Sequence, residues 1–243
     1  MKFRYIKLIV IYTIFFAMDC HFSNYPILKR GLNEYTKVDI LMSMHHGNSG
    51  YNGLTAMLLV YTMPFLLGCY YVLYKEADFR IVRYGTRKAY NRVEIKNMVL
   101  TALLFSLCHQ VVNWVYVVSK FGKLLPKRQT FMIYIVVAGI IMGLFYIQTG
   151  LLYQMVRDWL RSDVAALLVL LGVNFAQFTI IKYYLLHFWI PGRDLFVAFD
   201  FLSGGAGFSE IIFTIVRSSL LVVCLYMLSQ IIFEKKDLMK YEK

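Results

Sequence analysis

Six long apolar runs dominate this chain, and they leave it few folds. They are Tyr5–Phe22, Leu54–Tyr74, Asn97–Ser119, Phe131–Met155, Val164–Leu186 and Glu210–Phe233. At 1.5 Å of rise per residue, a helix of about 20 residues covers the ~30 Å hydrocarbon core of a bilayer. Backbone polar groups at that depth must be satisfied within the segment, so each run is expected to be a helix. The expected fold class is an all-α integral membrane protein with six transmembrane helices, forming a single domain over residues 1–243. Composition agrees: 59% of residues are apolar and 16% charged, against about 45–50% and about 25% in soluble domains.

The same pattern disposes of readings that the net charge invites. A charge of +12 would point to nucleic acid in a soluble protein. Here Lys and Arg flank the apolar runs, as they do in the cytoplasmic loops of membrane proteins, so no nucleic-acid partner is expected. Cys20, Cys69, Cys108 and Cys224 lie in or beside apolar runs without CxxC or Cys/His spacing. They read as small packing residues, not as a disulfide framework or a zinc site. His45 and His46, with His21, Met42 and Met44, invite a copper site, but adjacent histidines do not share a helix face. A solvated loop and no metal are expected. No Walker A, HExxH or GxSxG motif occurs, and Ser203 has no base beside it. No catalytic residue and no bound cofactor are therefore expected of this chain.

Charge also orients the spans. Met1–Lys7 followed by Leu8–Met18 has the outline of a secretory signal. Ala17-Met18-Asp19-Cys20 offers no A-x-A site, so a retained first span is expected. With the N-terminus inside, the inner segments carry three, seven, two and four Lys or Arg, and the outer ones three, four and one. That bias places both termini in the cytoplasm. Lys120, Lys123, Lys127 and Arg128 run against it. Pro64 predicts a kink in the second span, Val156–Asp163 a turn, and Lys182 a side chain that snorkels outward. Residues 23–53 form a first outer segment containing Pro26 and several glycines. The connection His187–Ser209 contains Pro191, Gly192, Gly204, Gly205 and Gly207 around the apolar stretch Leu195–Leu202. Two readings stand for that stretch: a re-entrant segment, or an amphipathic segment on the outer surface.

Polar residues inside the spans are the candidates for a translocation path or a subunit interface. Glu210, Thr214 and Arg217 share one face of the sixth span. An arginine there costs at least ~2.5 kcal/mol on insertion scales, so it faces protein or water. Ser106, His109 and Asn113 share a face of the third span, and Asn174 and Gln177 lie in the fifth. A lined path competes with plain helix–helix hydrogen bonding for all of them, and hydrogen bonding is preferred for Asn174 and Gln177.

The longest charged segment between two spans is Lys75–Lys96, KEADFRIVRYGTRKAYNRVEIK. Phe79 and Val82 lie three apart and Arg80, Arg83 and Arg87 form a separate stripe, which predicts a short amphipathic helix ending near Gly85. Asn91-Arg92-Val93-Glu94 reads as a capping box opening the third span's helix. The basic stripe fits anionic headgroups or a protein partner, and physical chemistry leaves the two nearly level.

The run Asp78-Phe79-Arg80-Ile81-Val82-Arg83-Tyr84-Gly85-Thr86-Arg87-Lys88 resembles the loop after the second span in export-type bacterial ABC transporter permeases. The order of features agrees: six spans, a sizeable first outer segment, a broken connection before the last span and a short charged tail. The resemblance implies a membrane subunit in the bacterial cell membrane that pairs with a second copy or a sister permease. ABC ATPase subunits, carrying ATP and Mg, would dock on it. Asp78, Phe79, Arg80, Val82, Arg83, Tyr84, Gly85, Arg87 and Lys88 would form the coupling helix. The cargo it implies is an amphiphile, such as an antimicrobial peptide or a lipid. The alternative is a stand-alone immunity or sensor protein that binds a peptide at its outer face.

Overall fold

Apolar runs joined by short polar segments build a bundle of helices, as a computed structural model shows. It describes residues 2–34, 36–45, 50–73, 87–122, 125–184 and 189–235, with backbone alone at 2, 30–34, 87–88, 184 and 234–235. Helix is the only regular element among these residues. The long helices are α1 (Lys2–Glu34), α3 (Thr62–Leu73), α4 (Arg87–Phe121), α5 (Arg128–Leu160), α6 (Asp163–Thr179) and α8 (Phe208–Lys235). The short ones are α2 (Lys37–His45) and α7 (Val197–Ser203). Six stretches are long and apolar enough to cross a bilayer: Phe3–Lys29, Ala56–Leu73, Ala89–Phe121, Arg128–Leu160, Asp163–Tyr183 and Phe208–Phe233. The chain is a multi-pass membrane protein.

Contacts sort the two ends of the bundle. Tyr5 donates to Asn97 at 3.1 Å, Gln154 to Asn91 at 2.6 Å, and Tyr90 stacks on Phe233. These residues mark the near end, where α4 begins. His45 packs edge-on against Phe131 and Tyr134 at the far end. Helix α5 is the centre: it packs on α4, α6, α7 and α8 and buries side chains such as Tyr134, Met142, Tyr146 and Tyr153. Large exposed apolar residues, Leu103, Leu107, Val136, Phe213 and Leu220 among them, lie on the outer faces, as a protein solvated by lipid requires.

Several expected boundaries move, each for a physical reason. Residues 23–34 continue α1 through Pro26, because one proline removes only one backbone donor from a helix. Span two is a turn of π-helix, Ala56–Val60, followed by α3, with Pro64 in the first turn of α3. Two carbonyls of the π-turn accept from side chains: Thr62 Oγ1 donates to Leu58 at 2.8 Å and Tyr146 to Met57 at 2.7 Å. The expected kink is thus a π-turn stabilised from its neighbours. Only Arg161 and Ser162 separate α5 from α6, where Val156–Asp163 was the expected turn. Arg161 takes the left-handed conformation (φ 55) that ends a helix, and Ser162 caps the next one by accepting from the Ala165 amide.

The connection before the last span is helical. A 3₁₀ stretch, Pro191–Phe196, leads into α7. Leu195, Ala198 and Leu202 are buried at helical spacing against α5 and α8. Gly204, at φ +92, then reverses the chain in a conformation that suits glycine.

Between α1 and α3 the crossing is close. A Cβ built on Gly68 would lie 1.6 Å from the Tyr12 hydroxyl, so no larger residue fits there without moving Tyr12.

Candidate functional site

Three polar clusters are built into the apolar bundle. The first lies at the near end, where α4 begins. Asn91 and Glu94 were expected to cap that helix. It starts instead at Arg87, and both side chains are buried within it. Glu94 accepts from Arg157 at 3.1 Å and from Tyr90 at 2.8 Å, and Asn91 accepts from Gln154. Arg157 also lies 3.6 Å from Asp158. The polar residues that look like a cap therefore hold α4 to α5, and the helix runs on past them because their hydrogen bonds are satisfied across the interface.

The second cluster surrounds His109, buried in the far half of α4. Its ring stacks on Tyr51 at 4.3 Å with planes 5° apart, and Phe16 and Tyr61 meet it edge-on. Gln110 donates to Nδ1 at 3.1 Å, which leaves the proton of the neutral ring on Nε2. Nε2 has no partner among the described residues. The Tyr61 hydroxyl sits 2.6 Å from Asp19 Oδ2 and 2.7 Å from the Tyr51 carbonyl, sharing one proton between two acceptors. One turn along α4, Asn113 Oδ1 lies 3.1 Å from His45 Nε2.

His45 is buried, not solvated. Its Nδ1 donates to the Leu41 carbonyl at 2.8 Å, so the neutral ring must accept at Nε2. That turns the NH2 of the Asn113 amide towards it, a half-turn invisible in heavy-atom positions. Both ring nitrogens are spent, and no group of three metal-ligating residues occurs among the described residues.

Burial lowers the His45 pKa from 6.5 to about 4. His109, Tyr134, Phe131 and Asn113 face it from α4 and α5. The unfolded chain then binds more protons between those two pH values, so stability falls as pH drops from about 6.5 towards 4 and levels off below. The full effect is about 3 kcal/mol at 1.36 kcal/mol per pKa unit. Thermal unfolding in detergent at pH 7.5 and pH 5 should show a loss in the parent that shrinks by most of this amount in His45→Gln. An unchanged pH slope in the variant would remove His45 from the account.

The third cluster gathers around Arg217, half-buried in α8. Its guanidinium donates to Asp194 of the 3₁₀ stretch. Asp194 also accepts from Ser218 at 2.8 Å and from Trp189 Nε1 at 3.0 Å. The Trp189 and Phe213 rings lie 4.6 and 5.2 Å from the guanidinium. Next to it is a cavity of about 740 Å³ lined by Ile181, Arg193, Asp200, Glu210 and Thr214 among others. Glu210 and Thr214, expected to share a face with Arg217, line this cavity together, whereas Arg217 turns to Asp194. Glu210 is exposed and accepts from the Gly207 amide at 3.0 Å, a capping contact at the start of α8.

Asn174 and Gln177 are spent on bonds between elements. Asn174 donates to Thr62 at 2.8 Å, Gln177 to Asn174 at 3.1 Å, and Gln177 accepts from the Gly192 amide at 2.9 Å. This chain of bonds ties α3, α6 and the 3₁₀ stretch.

Of the loop residues, Asp78, Phe79, Arg80, Val82, Arg83, Tyr84 and Gly85 lie outside the described residues, and Arg87 and Lys88 form the first turn of α4. Asp194, Trp189, Glu94, Arg157 and Tyr51 are the residues that the sequence pattern missed. Charge gave one usable signal: Arg217 needs an acidic partner, and Asp194 is among the few acids near it in the chain.

The fold thus defines a membrane protein with six candidate spans and, among its described residues, three internal ion pairs made by Arg157 and Arg217. No family model, curated protein or solved structure matches the chain.

Proposed function

We propose that this chain is the membrane permease subunit of a bacterial ABC exporter. It carries an amphiphilic cargo, an antimicrobial peptide or a lipid-like molecule, outward with energy from separate ATPase subunits. The observation that carries this reading is the run Asp78–Lys88, whose last two residues, Arg87 and Lys88, open α4. The resemblance of that run to a coupling helix gives it a role, and the helix gives it mechanical reach. Arg87 and Lys88 belong to the same helix as His109 and Asn113. Glu94 and Arg157 fix the start of that helix to the central one. The helical connection tied by Asp194 to Arg217 agrees with the broken segment before the last span of such permeases. In this arrangement the termini and the 74–86 segment face the cytoplasm of the bacterial cell.

The test is purification of the tagged chain from its native host, followed by ATPase assays. An ABC ATPase should co-purify, and Arg83→Glu with Arg87→Glu should abolish stimulated hydrolysis while membrane insertion is unchanged. Full stimulation in the double variant, or purification of the chain alone, would favour a stand-alone immunity or sensor protein.

A further inference from the structure

On the outer face of the α4–α5 hairpin, two cavities of about 450 and 370 Å³ share Trp114 and Met132 as common walls. Together they form one groove. It runs along the outer face from Leu103 and Ile140, near the middle of their spans, to Arg128 at the far end. From Arg128 to Ile140 the groove is ~18 Å long at 1.5 Å per residue, close to the ~15 Å depth of one leaflet's hydrocarbon.

Its floor is apolar even where the sequence is not. Ser106 donates to the Gly139 carbonyl at 2.7 Å. Gln110 turns its amide to His109 and Met142, leaving its Cγ against Gly139. Glycine at 139 keeps the floor low. The walls Leu103, Leu107, Val136 and Ile140 are exposed apolar side chains, so the groove opens sideways towards lipid.

The head of the groove is cationic. Lys127 and Arg128 are exposed and, among the described residues, take part in no ion pair. No Asp or Glu occurs in the chain between Glu94 and Asp158, so this hairpin brings no carboxylate of its own. These residues, with Lys120 and Lys123, are the cations that break the charge asymmetry of the loops.

We infer that this groove binds one anionic phospholipid from the far-end leaflet, its acyl chain along Gly139 and Trp114 and its phosphate at Arg128 and Lys127. An apolar slot of one-leaflet length below Lys127 and Arg128, which take part in no ion pair among the described residues, fits that molecule by shape and charge. This inference does not depend on the transport proposal.

Native mass spectrometry of the detergent-purified protein, with any partners that accompany it, tests the assignment. Phosphatidylglycerol should be retained in preference to phosphatidylcholine. Arg128→Gln should weaken phosphatidylglycerol retention roughly fivefold, the equivalent of one surface charge, and Lys127→Gln should add to it. Val136→Trp, which fills the groove from its exposed wall, should abolish retention while the elution profile stays monodisperse. Inorganic phosphate in millimolar excess should not displace the lipid. Equal retention of the two lipids, displacement by phosphate, or a phosphatidylglycerol preference that survives both Arg128→Gln and Val136→Trp would overturn the assignment.

Discussion

Asp194→Leu is expected to lower the stability of the folded chain by about 3–5 kcal/mol, the usual consequence of breaking a buried ion pair from one side. The carboxylate holds three donors at once, from Arg217, Ser218 and Trp189. Its removal leaves a half-buried guanidinium with two aromatic rings and no anion. For a domain of this size each kcal/mol shifts the melting temperature by about 2–4 °C, so a fall of roughly 10 °C should be read in a detergent melting assay. Asp194→Asn keeps the shape and should cost less. Adding Arg217→Leu to Asp194→Leu should recover much of the loss, since apolar replacement of both partners is often neutral. If the two single losses simply add, the pair is not coupled. Arg217→Leu alone should also impair transport in the proposed exporter, because the connection before α8 loses its anchor.

An effect of similar size is expected at the opposite end. Arg157→Leu leaves Glu94 and Asp158, whose side chains are 7% and 1% exposed, without the guanidinium between them. Breaking such a pair again costs about 3–5 kcal/mol. Arg157→Lys keeps a point charge but loses the planar fork, and an intermediate loss should follow. Glu94→Gln added to Arg157→Leu should restore part of the stability by removing one stranded charge. Melting of these variants beside Asp194→Leu separates the two ends of the bundle. A variant Arg157→Leu within about 1 kcal/mol of the parent, near the size of a surface pair, would mean that the cluster is solvated.

The spans were legible because length and apolarity determine them: a run that must satisfy its own backbone in lipid has one choice of structure. The ends of the helices were less legible. Asn91 and Glu94 have the spacing of a cap, and only their partners on α5, 60 or more residues away, show that the helix continues through them. Pro26 carried a similar false signal, because a proline breaks a helix only where its neighbours cannot absorb the lost bond. His45 looked solvated beside His46; its burial depends on Asn113, 68 residues further on. Arg217 was legible as a residue that needs company. Its partner sits in a connection where no periodicity points to it, since pairing across elements leaves no local spacing.

Helix α4 has one further consequence. Its 35 residues make a rod of ~52 Å, well over the ~30 Å of the hydrocarbon core. A rod held near one end acts as a lever, and Glu94 to Arg157 provides the fulcrum, two turns in from Arg87. Movement of the short arm is then enlarged along the long one, so a shift at Arg87 is roughly doubled at the Tyr51 and His109 stack, by the ratio of the two arms at 1.5 Å per residue.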